Sequence, residues 1–217
     1  MPAPAQPLPP PYPLEVVEAF RALATSEVSD CLDRLRGATG LRPWHAGGAR
    51  AAGCALTVKT RPGDNLHVHA ALELARPGDV LVVDAGGELT NAVAGELLAR
   101  YGRTRGVAAF VVEGAIRDVA GWRDFPVWAR GVSHLGPWKD GPGQVGVPVA
   151  VGGMVVLCGD LVLCDEDGVV AVRREEVPAV LARARAKADD EEHQRALIAE
   201  GRWDRSWLDA ALKKRGK

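Results

Sequence analysis

The sequence RPGDVLVVDAGGELTNAVAGELLARYGRTRGVAAFVVEGAIRD, residues 76–118, indicates the fold class. It opens on a Pro-Gly turn, and the apolar run at residues 80–83 predicts a buried strand that leads into a glycine loop. Residues 91–106 predict a helix with Gly106 at its C-terminal end, and residues 107–114 predict a second buried strand. Strand, helix and strand in this order predict an α/β fold.

The flanking sequence continues the α/β pattern. Residues 14–36 predict two helices separated by a break, with Thr25 or Ser26 as the N-cap of the second. Residues 47–60 predict a strand, and the next segment predicts a turn followed by a helix capped by Asp64 or Asn65. Residues 147–172 predict several strands joined by glycine turns.

These elements predict one α/β domain with two arms. The chain has 217 residues, of which 47% are apolar and 25% charged, as in an ordinary globular domain. We assign residues 1–13 to a proline-rich N-terminal arm that could drape over a neighbouring subunit. Residues 14–174 form the catalytic domain in this prediction, and residues 175–217 form a C-terminal helical extension.

Charge and composition argue against several function classes. A net charge of −1 and an aromatic content of 5% do not favour nucleic-acid binding. No run reaches the roughly 18 apolar residues of a membrane span, and the N-terminus lacks the pattern of a signal peptide, so we expect a cytoplasmic protein without a membrane partner. The four scattered cysteines predict buried free thiols rather than disulfides or a zinc site.

Charged residues follow the predicted strands of the central stretch. Glu96 stands near the predicted helix start, and Arg117 and Asp118 follow the second strand. Ligands bind beyond the carboxyl ends of strands in open α/β sheets, so these side chains can converge. They could hold an anion through Arg117 and Mg²⁺ or Mn²⁺ through the carboxylates. Spacing alone leaves an alternative open, in which Glu96 supports the helix dipole and Arg-Asp forms a surface turn.

A family resemblance rests on PGDNLHVHAALELARPGDVLVVDAGGELTNAVAGELLARYGRTRGVAAFVVEGAIRD, residues 62–118, and continues through FPVWARGVS and GDLVLCDEDGVVAV. The sequence resembles the family of class II 4-hydroxy-4-methyl-2-oxoglutarate and 4-carboxy-4-hydroxy-2-oxoadipate aldolases, which also holds the regulator of ribonuclease E activity A. The likeness covers about residues 23–200. Its most specific element is an acidic residue, twenty intervening residues and Arg-Asp, here Glu96 followed by Arg117 and Asp118.

The resemblance implies roles for these residues. Asp118 would be the protein ligand of a divalent metal, Mg²⁺ or Mn²⁺, and Glu96 would hold the waters of that metal. Arg117 would bind the pyruvyl part of the substrate and stabilise its enolate. The backbone N–H groups of Leu97 and Leu98, after Gly95, would receive the substrate carboxylate.

The resemblance also implies an assembly. The fold would be an αββα sandwich that forms homotrimers or dimers of trimers, with active sites between subunits. An acidic residue would reach each site from the C-terminal helix of a neighbour, and we choose Glu191, with Glu192 next.

The implied activity is divalent-metal-dependent cleavage of 4-hydroxy-2-oxo dicarboxylic acids, such as 4-hydroxy-4-methyl-2-oxoglutarate, to pyruvate and a second oxo acid. Oxaloacetate decarboxylation would accompany it, because it needs the same enolate. The alternative is a non-catalytic binding protein of the ribonuclease E inhibitor type.

Other polar and aromatic residues are assigned structural roles. His67 and His69 are two positions apart on a predicted helix, so they point apart and favour a structural or subunit contact over shared metal ligation. His134 is a weaker candidate for the pocket. The acidic residues at 165–167 predict a β-turn rather than a cation site. We expect the tryptophans at positions 122, 128 and 138, namely Trp122, Trp128 and Trp138, to pack in the core or at a subunit interface.

Overall fold

The computed structural model describes residues 3–34 and 36–215. Within these ranges the α-helices are α1 (Leu14–Arg21), α2 (Thr25–Asp30), α3 (Leu66–Leu74), α4 (Glu96–Thr104), α5 (Val177–Ala199) and α6 (Ser206–Lys214). The strands are β1 (Arg42–Pro43), β2 (Ala51–Thr60), β3 (Asp79–Asp84), β4 (Ala92–Ala94), β5 (Ala109–Ile116), β6 (Val127–Val132), β7 (Gly143–Val145), β8 (Val149–Val151), β9 (Met154–Val156), β10 (Leu161–Cys164) and β11 (Val169–Val172). The predicted α/β fold is confirmed.

The main sheet has the strand order β1-β6-β5-β3-β2-β10-β11, with β4 beside β5 and β7 beside β2. Strands β2, β3, β5 and β6 are parallel neighbours, and β4 is also parallel to β5. Their carboxyl ends therefore meet at one edge of the sheet, where ligands bind in folds of this kind.

The central strands are buried on both faces, which explains why they appear in the sequence as continuous apolar runs. Leu81 and Val83 belong to the core that includes residues of α3 and α4. Val80 and Val82 point to the other face, into a core shared with the β8–β9 hairpin.

A third core surrounds the β10–β11 end of the sheet. Phe20 from α1, Val28 from α2 and Val180 from α5 pack there. The buried residues of α5 end at Ala184, and α6 has none. The C-terminal half of the extension therefore projects from the domain.

The cap of α2 differs from the prediction. Ala24 is the N-cap and Thr25 is the first helical residue. The side chain of Glu27 accepts the Ala24 N–H at 2.8 Å, and the Thr25 hydroxyl donates to Asp165 Oδ1 at 2.6 Å. The predicted cap at Thr25 or Ser26 is wrong, since both residues lie inside the helix. The Thr25 hydroxyl instead joins the helix to Asp165, 140 positions along the chain.

The segment predicted as a helix over residues 91–106 begins as the short strand β4. Ala92 donates its N–H to Leu135 O at 2.9 Å, and Ala94 O accepts the Arg117 N–H at 2.9 Å. The helix then starts at Glu96, with Gly95 as its extended N-cap. Pairing with distant segments overrides the local helix preference of this alanine-rich stretch.

The N-terminal arm lies along its own chain over the described residues 3–13. Ala5 donates its N–H to Val145 O at 2.8 Å, and Arg76 Nη1 donates to Pro9 O at 2.7 Å. The Tyr12 hydroxyl donates to Gly159 O at 2.8 Å. These bonds are all within one chain, and contact of the arm with a neighbouring subunit stays a prediction.

All four cysteines are free, and Trp122 and Trp128 are fully buried, whereas Trp138 is 62% exposed. The acidic turn joins β10 and β11, with the Asp165 N–H donating to Gly168 O at 3.0 Å. Over the described ranges, no helix is both long and apolar enough to cross a bilayer.

Candidate active site

Two adjacent parallel strands bring the candidate residues together. Strand β4 ends at Ala94 and leads into Gly95, while β5 ends at Ile116 and leads into Arg117. The bond from Arg117 N–H to Ala94 O joins the two strand ends. The start of α4 therefore lies beside the Arg-Asp pair, as the spacing predicted.

The backbone at Asp118 is left-handed, with φ of 56°. Aspartate adopts this conformation more readily than most residues. Asp118 begins a 3₁₀ turn over Val119–Trp122, and the buried indole of Trp122 donates to Arg117 O at 2.9 Å. A core tryptophan therefore fixes the Arg-Asp turn in position.

The side chains of Arg117 and Asp118 lie close together. Arg117 Nε is 3.6 Å from Asp118 Oδ2, and the two side chains are 40% and 47% exposed. The Glu96 N–H donates to the same Asp118 oxygen at 3.3 Å. This arrangement presents a cation, a carboxylate and a helix N-terminus at one point.

Two glycines make the close approach possible. A Cβ atom at Gly95 would lie 2.5 Å from Asp118 Oδ2 and 3.0 Å from Arg117 Cγ. A Cβ atom at Gly136 would lie 3.0 Å from Arg117 Nη1. The site therefore requires residues without side chains on both sides of Arg117.

These residues surround a small cavity of about 110 Å³. It is lined by residues that the sequence singled out, namely Gly95, Leu97, Leu98, Arg117 and Asp118, and by Asn65, His69, Ala94, Pro137 and Lys139. The Glu96 side chain lies beside this group and accepts a hydrogen bond from Arg100 Nε at 2.7 Å.

The helix N-terminus offers fewer free donors than the sequence suggested. The Leu98 N–H donates to Gly95 O at 3.0 Å. No residue in the described part of the chain accepts a hydrogen bond from the Leu97 N–H. Leu97 therefore supplies the open donor for an anion, and Leu98 could contribute only by sharing its N–H.

Glu191 does not reach this cavity within one chain. It lies on α5, where Lys187 Nζ is 2.9 Å from Glu191 Oε1 and also 2.9 Å from Asp30 Oδ2 of α2. Arg195 Nη2 is 3.5 Å from Glu191 Oε2. Its arrival from a neighbouring subunit stays a prediction.

Sequence analysis missed three polar residues of the cavity, namely Asn65, His69 and Lys139. Asn65 looked like a helix cap and is the N-cap of α3, while His69 looked like a structural residue. Burial, followed by the positive charge of Lys139, lowers the pKa of His69 and so favours its neutral imidazole. His134, the weaker candidate, is not among the residues that line the cavity.

The donor set fits a hard divalent ion bound by a single protein carboxylate. Over residues 3–34 and 36–215, no group of three or more His, Cys, Asp or Glu residues could hold a metal. Asp118 instead presents one half-exposed carboxylate at a cavity with room for water and substrate oxygens. Mg²⁺ usually keeps several waters and takes one or two carboxylates, so Asp118 would be sufficient as its protein ligand.

Known proteins resemble this chain in sequence and in fold. A family model described as RraA-like, Aldolase/RraA, matches residues 25–171. A protein of Halalkalibacterium halodurans, provisionally named 4-hydroxy-4-methyl-2-oxoglutarate aldolase, is 38% identical over 188 residues, 85% of this chain and 89% of that protein. The 4-hydroxy-4-methyl-2-oxoglutarate aldolase of Thermus thermophilus is 40% identical over 126 residues, 57% of this chain and 76% of that protein.

The fold comparison agrees with the sequence comparison. The structure of RraAS2 from Streptomyces coelicolor, described as an unusual member of the RNase ES inhibitor RraA protein family, has a TM-score of 0.77 at 30% identity. The match covers 85% of this chain and 97% of that one. The resemblance seen in the sequence is therefore confirmed, and the chain belongs to the Aldolase/RraA family.

Proposed function

We propose that this protein is a class II aldolase that cleaves 4-hydroxy-2-oxo dicarboxylic acids, such as 4-hydroxy-4-methyl-2-oxoglutarate, to pyruvate and a second oxo acid. The observation that carries the proposal is the convergence of Arg117, Asp118 and the start of α4 on one small cavity. The names of two relatives support carbon–carbon lyase chemistry.

The chain's own groups can bind the pyruvyl half of such a substrate. The Arg117 guanidinium offers a planar set of donors that matches a carboxylate. The free N–H of Leu97 and the positive end of the α4 dipole favour the same anion. Asp118 would hold Mg²⁺ or Mn²⁺ next to it. When bound, this ion supplies Lewis-acid polarisation of the 2-oxo group.

The retro-aldol step breaks the bond between C3 and C4. The hydroxyl on C4 loses its proton and becomes the second carbonyl, while the bonding pair moves into the enolate of pyruvate. Arg117 stabilises the charge that develops on the enolate oxygen, and a donor of this kind contributes about 3 kcal/mol to the transition state. Oxaloacetate decarboxylation yields the same enolate, so we propose it as a side activity.

We assign the removal of the hydroxyl proton to Glu96 together with Glu191 of a neighbouring subunit. This assignment requires the homotrimer or dimer of trimers that the resemblance implies. The acidic residues 189–192 of α5 and the cationic groups of the cavity, Arg117 and Lys139, are complementary in charge.

The test is pyruvate release from 4-hydroxy-4-methyl-2-oxoglutarate and from oxaloacetate, with and without Mg²⁺. We expect turnover only with the metal, and we expect Asp118→Asn to abolish it while the protein stays folded, because asparagine tolerates the left-handed backbone. Asp124→Asn, which alters the next carboxylate along the chain, is the matched control. No turnover of either substrate by the metal-loaded wild type, or full turnover by Asp118→Asn, would contradict the proposal.

The likeness to RraAS2 supports a second candidate, a binding protein of the ribonuclease E inhibitor type. In that case a ribonuclease E partner would co-elute with the chain in gel filtration, and neither oxo acid would be cleaved. Binding without cleavage would favour this candidate over the aldolase.

A further inference from the structure

A second cavity, larger than the site, lies between α3, β7 and the N-terminal arm, and we call it the arm chamber. Its volume is about 580 Å³, within the roughly 300–1,000 Å³ that is typical of small-molecule pockets. The cavity at Arg117 measures only about 110 Å³. The small cavity therefore suits a head group, and the arm chamber has room for the remainder of a larger ligand.

The arm forms a fixed wall of this chamber. Ala3 and Ala5 line it, and the bond from the Ala5 N–H to Val145 O holds the arm against β7. Farther along the arm, Arg76 binds Pro9 O at 2.7 Å. The arm chamber exists because the proline-rich arm lies on its own chain.

One side chain belongs to both cavities. His69 lines the arm chamber and also the cavity that holds Arg117 and Asp118. The two cavities therefore border each other at His69.

The walls of the arm chamber are mainly apolar. Leu66, Ala70 and Val145 line it together with the two arm alanines, and the polar side chains in its lining are His67, His69, Glu73 and Gln144. Neither lysine nor arginine is among its described lining residues. Its charged side chain, Glu73, accepts the Tyr101 hydroxyl at 2.8 Å. A negative charge would meet neither of these cations and would lie near the Glu73 carboxylate, whereas an uncharged hydrocarbon group would lose its exposure to water.

We propose that the arm chamber binds an apolar substituent of the 2-oxo acid whose carboxylate lies at Arg117. This inference rests on the proposed function for the position of the head group. It extends the substrate class to 4-hydroxy-2-oxo acids that carry an aliphatic or aromatic group larger than methyl on C4.

The experiment compares the binding of pyruvate and 2-oxo-4-phenylbutanoate by isothermal titration calorimetry, in the presence of Mg²⁺. We expect the phenyl compound to bind the wild type at least about tenfold more tightly, since it removes more apolar surface from water. Ala70→Phe, which places a ring inside the chamber, should reduce this gain. Deletion of residues 2–7, which removes one wall but keeps the Pro9 and Tyr12 contacts, should reduce it. Pyruvate should bind all of these proteins equally.

The control is Ala179→Phe, which adds the same ring at an exposed helical position away from the chamber. This variant should still bind the phenyl compound more tightly than pyruvate, by the same factor as the wild type. Equal binding of the two ligands to the wild type, or a gain that survives in both chamber variants, would overturn the inference while leaving the proposed function intact. Pyruvate binding that Arg117→Ala leaves unchanged would instead overturn the proposed function.

Discussion

The absence of a side chain at Gly95 allows the functional residues to meet. The backbone there is extended, with φ of −149°, so the requirement is space and not conformation. Gly95→Ala would place a Cβ atom 2.5 Å from Asp118 Oδ2, and the Arg-Asp pair would have to move. A displacement of about 1 Å lowers a reaction rate by roughly 100-fold. We therefore expect kcat/KM for pyruvate release to fall by about that factor.

The matched control for this prediction is Gly131→Ala in β6. The nearest atom to a Cβ there is Leu89 Cδ2 at 3.2 Å, which belongs to a flexible side chain. Its activity should stay within about twofold of the wild type, because the side chain can move aside. If both variants lost activity equally, crowding at Gly95 would not explain the effect.

At the scale of elements, Asp64 joins the start of α3 to the loop that carries Lys139. The carboxylate accepts N–H groups from Leu66 at 2.9 Å, Asp140 at 3.0 Å and Gly141 at 2.8 Å. Burial opposes ionisation, but these donors and Arg61 outweigh it and lower the pKa of Asp64.

Asp64→Asn should lower the free energy of unfolding at pH 7 by about 3 kcal/mol, because an amide cannot accept all of these bonds. The carboxylate stabilises the fold above its unfolded pKa near 3.8. Since the pKa is lower in the folded state, this stabilisation is lost as the pH falls through the folded value. The difference between variant and wild type should therefore shrink in acid, as measured by urea unfolding at several pH values.

The neighbouring residue Asp140 provides the comparison for this prediction. It binds the same Arg61 at 2.6 Å but is 77% exposed. Asp140→Asn should therefore change the free energy of unfolding by less than about 1 kcal/mol. An equal loss in the two variants would show that burial of Asp64 is not the cause.

The elements that the sequence predicted are those with a strong local signal. Strands β3 and β5 are long apolar runs, because both of their faces are buried. Strands β4 and β7 have three residues each, too few to show a period. Their pairing depends on distant partners, such as Leu135 for Ala92, so no local sequence pattern predicts it.

The residues of the site differ in the same way. Arg117 and Asp118 follow a predictable strand, so their position at the sheet edge could be inferred. Lys139 belongs to a loop that Asp64 fixes from 76 and 77 positions away, and His69 reaches the cavity only through the packing of α3. Such residues become visible only after the chain has folded.

At the scale of the whole molecule, the proposed site needs two chains. Arg117→Ala and Glu191→Ala should each be nearly inactive as pure oligomers. When equal amounts are unfolded and reassembled together, about a quarter of the sites should combine an intact Arg117 with an intact Glu191 from the neighbour, because assembly is random. We expect pyruvate release to recover to about that fraction of the wild-type rate.

In the control mixture, the Glu192→Ala variant takes the place of the Glu191→Ala variant. This substitution removes the adjacent acidic side chain of α5. That variant should be active alone. If the mixture of Arg117→Ala and Glu191→Ala stayed inactive although mixed oligomers had formed, Glu191 would not serve the site of a neighbour.

The left-handed backbone at Asp118 also bears on how this scaffold could diverge over generations. Its φ of 56° suits asparagine and glycine as well as aspartate. An aspartate codon becomes a codon for either residue by exchange of one base. A lineage could therefore lose the carboxylate in a single step and keep the surrounding loop, and the product would be a carrier of small anions that performs no turnover.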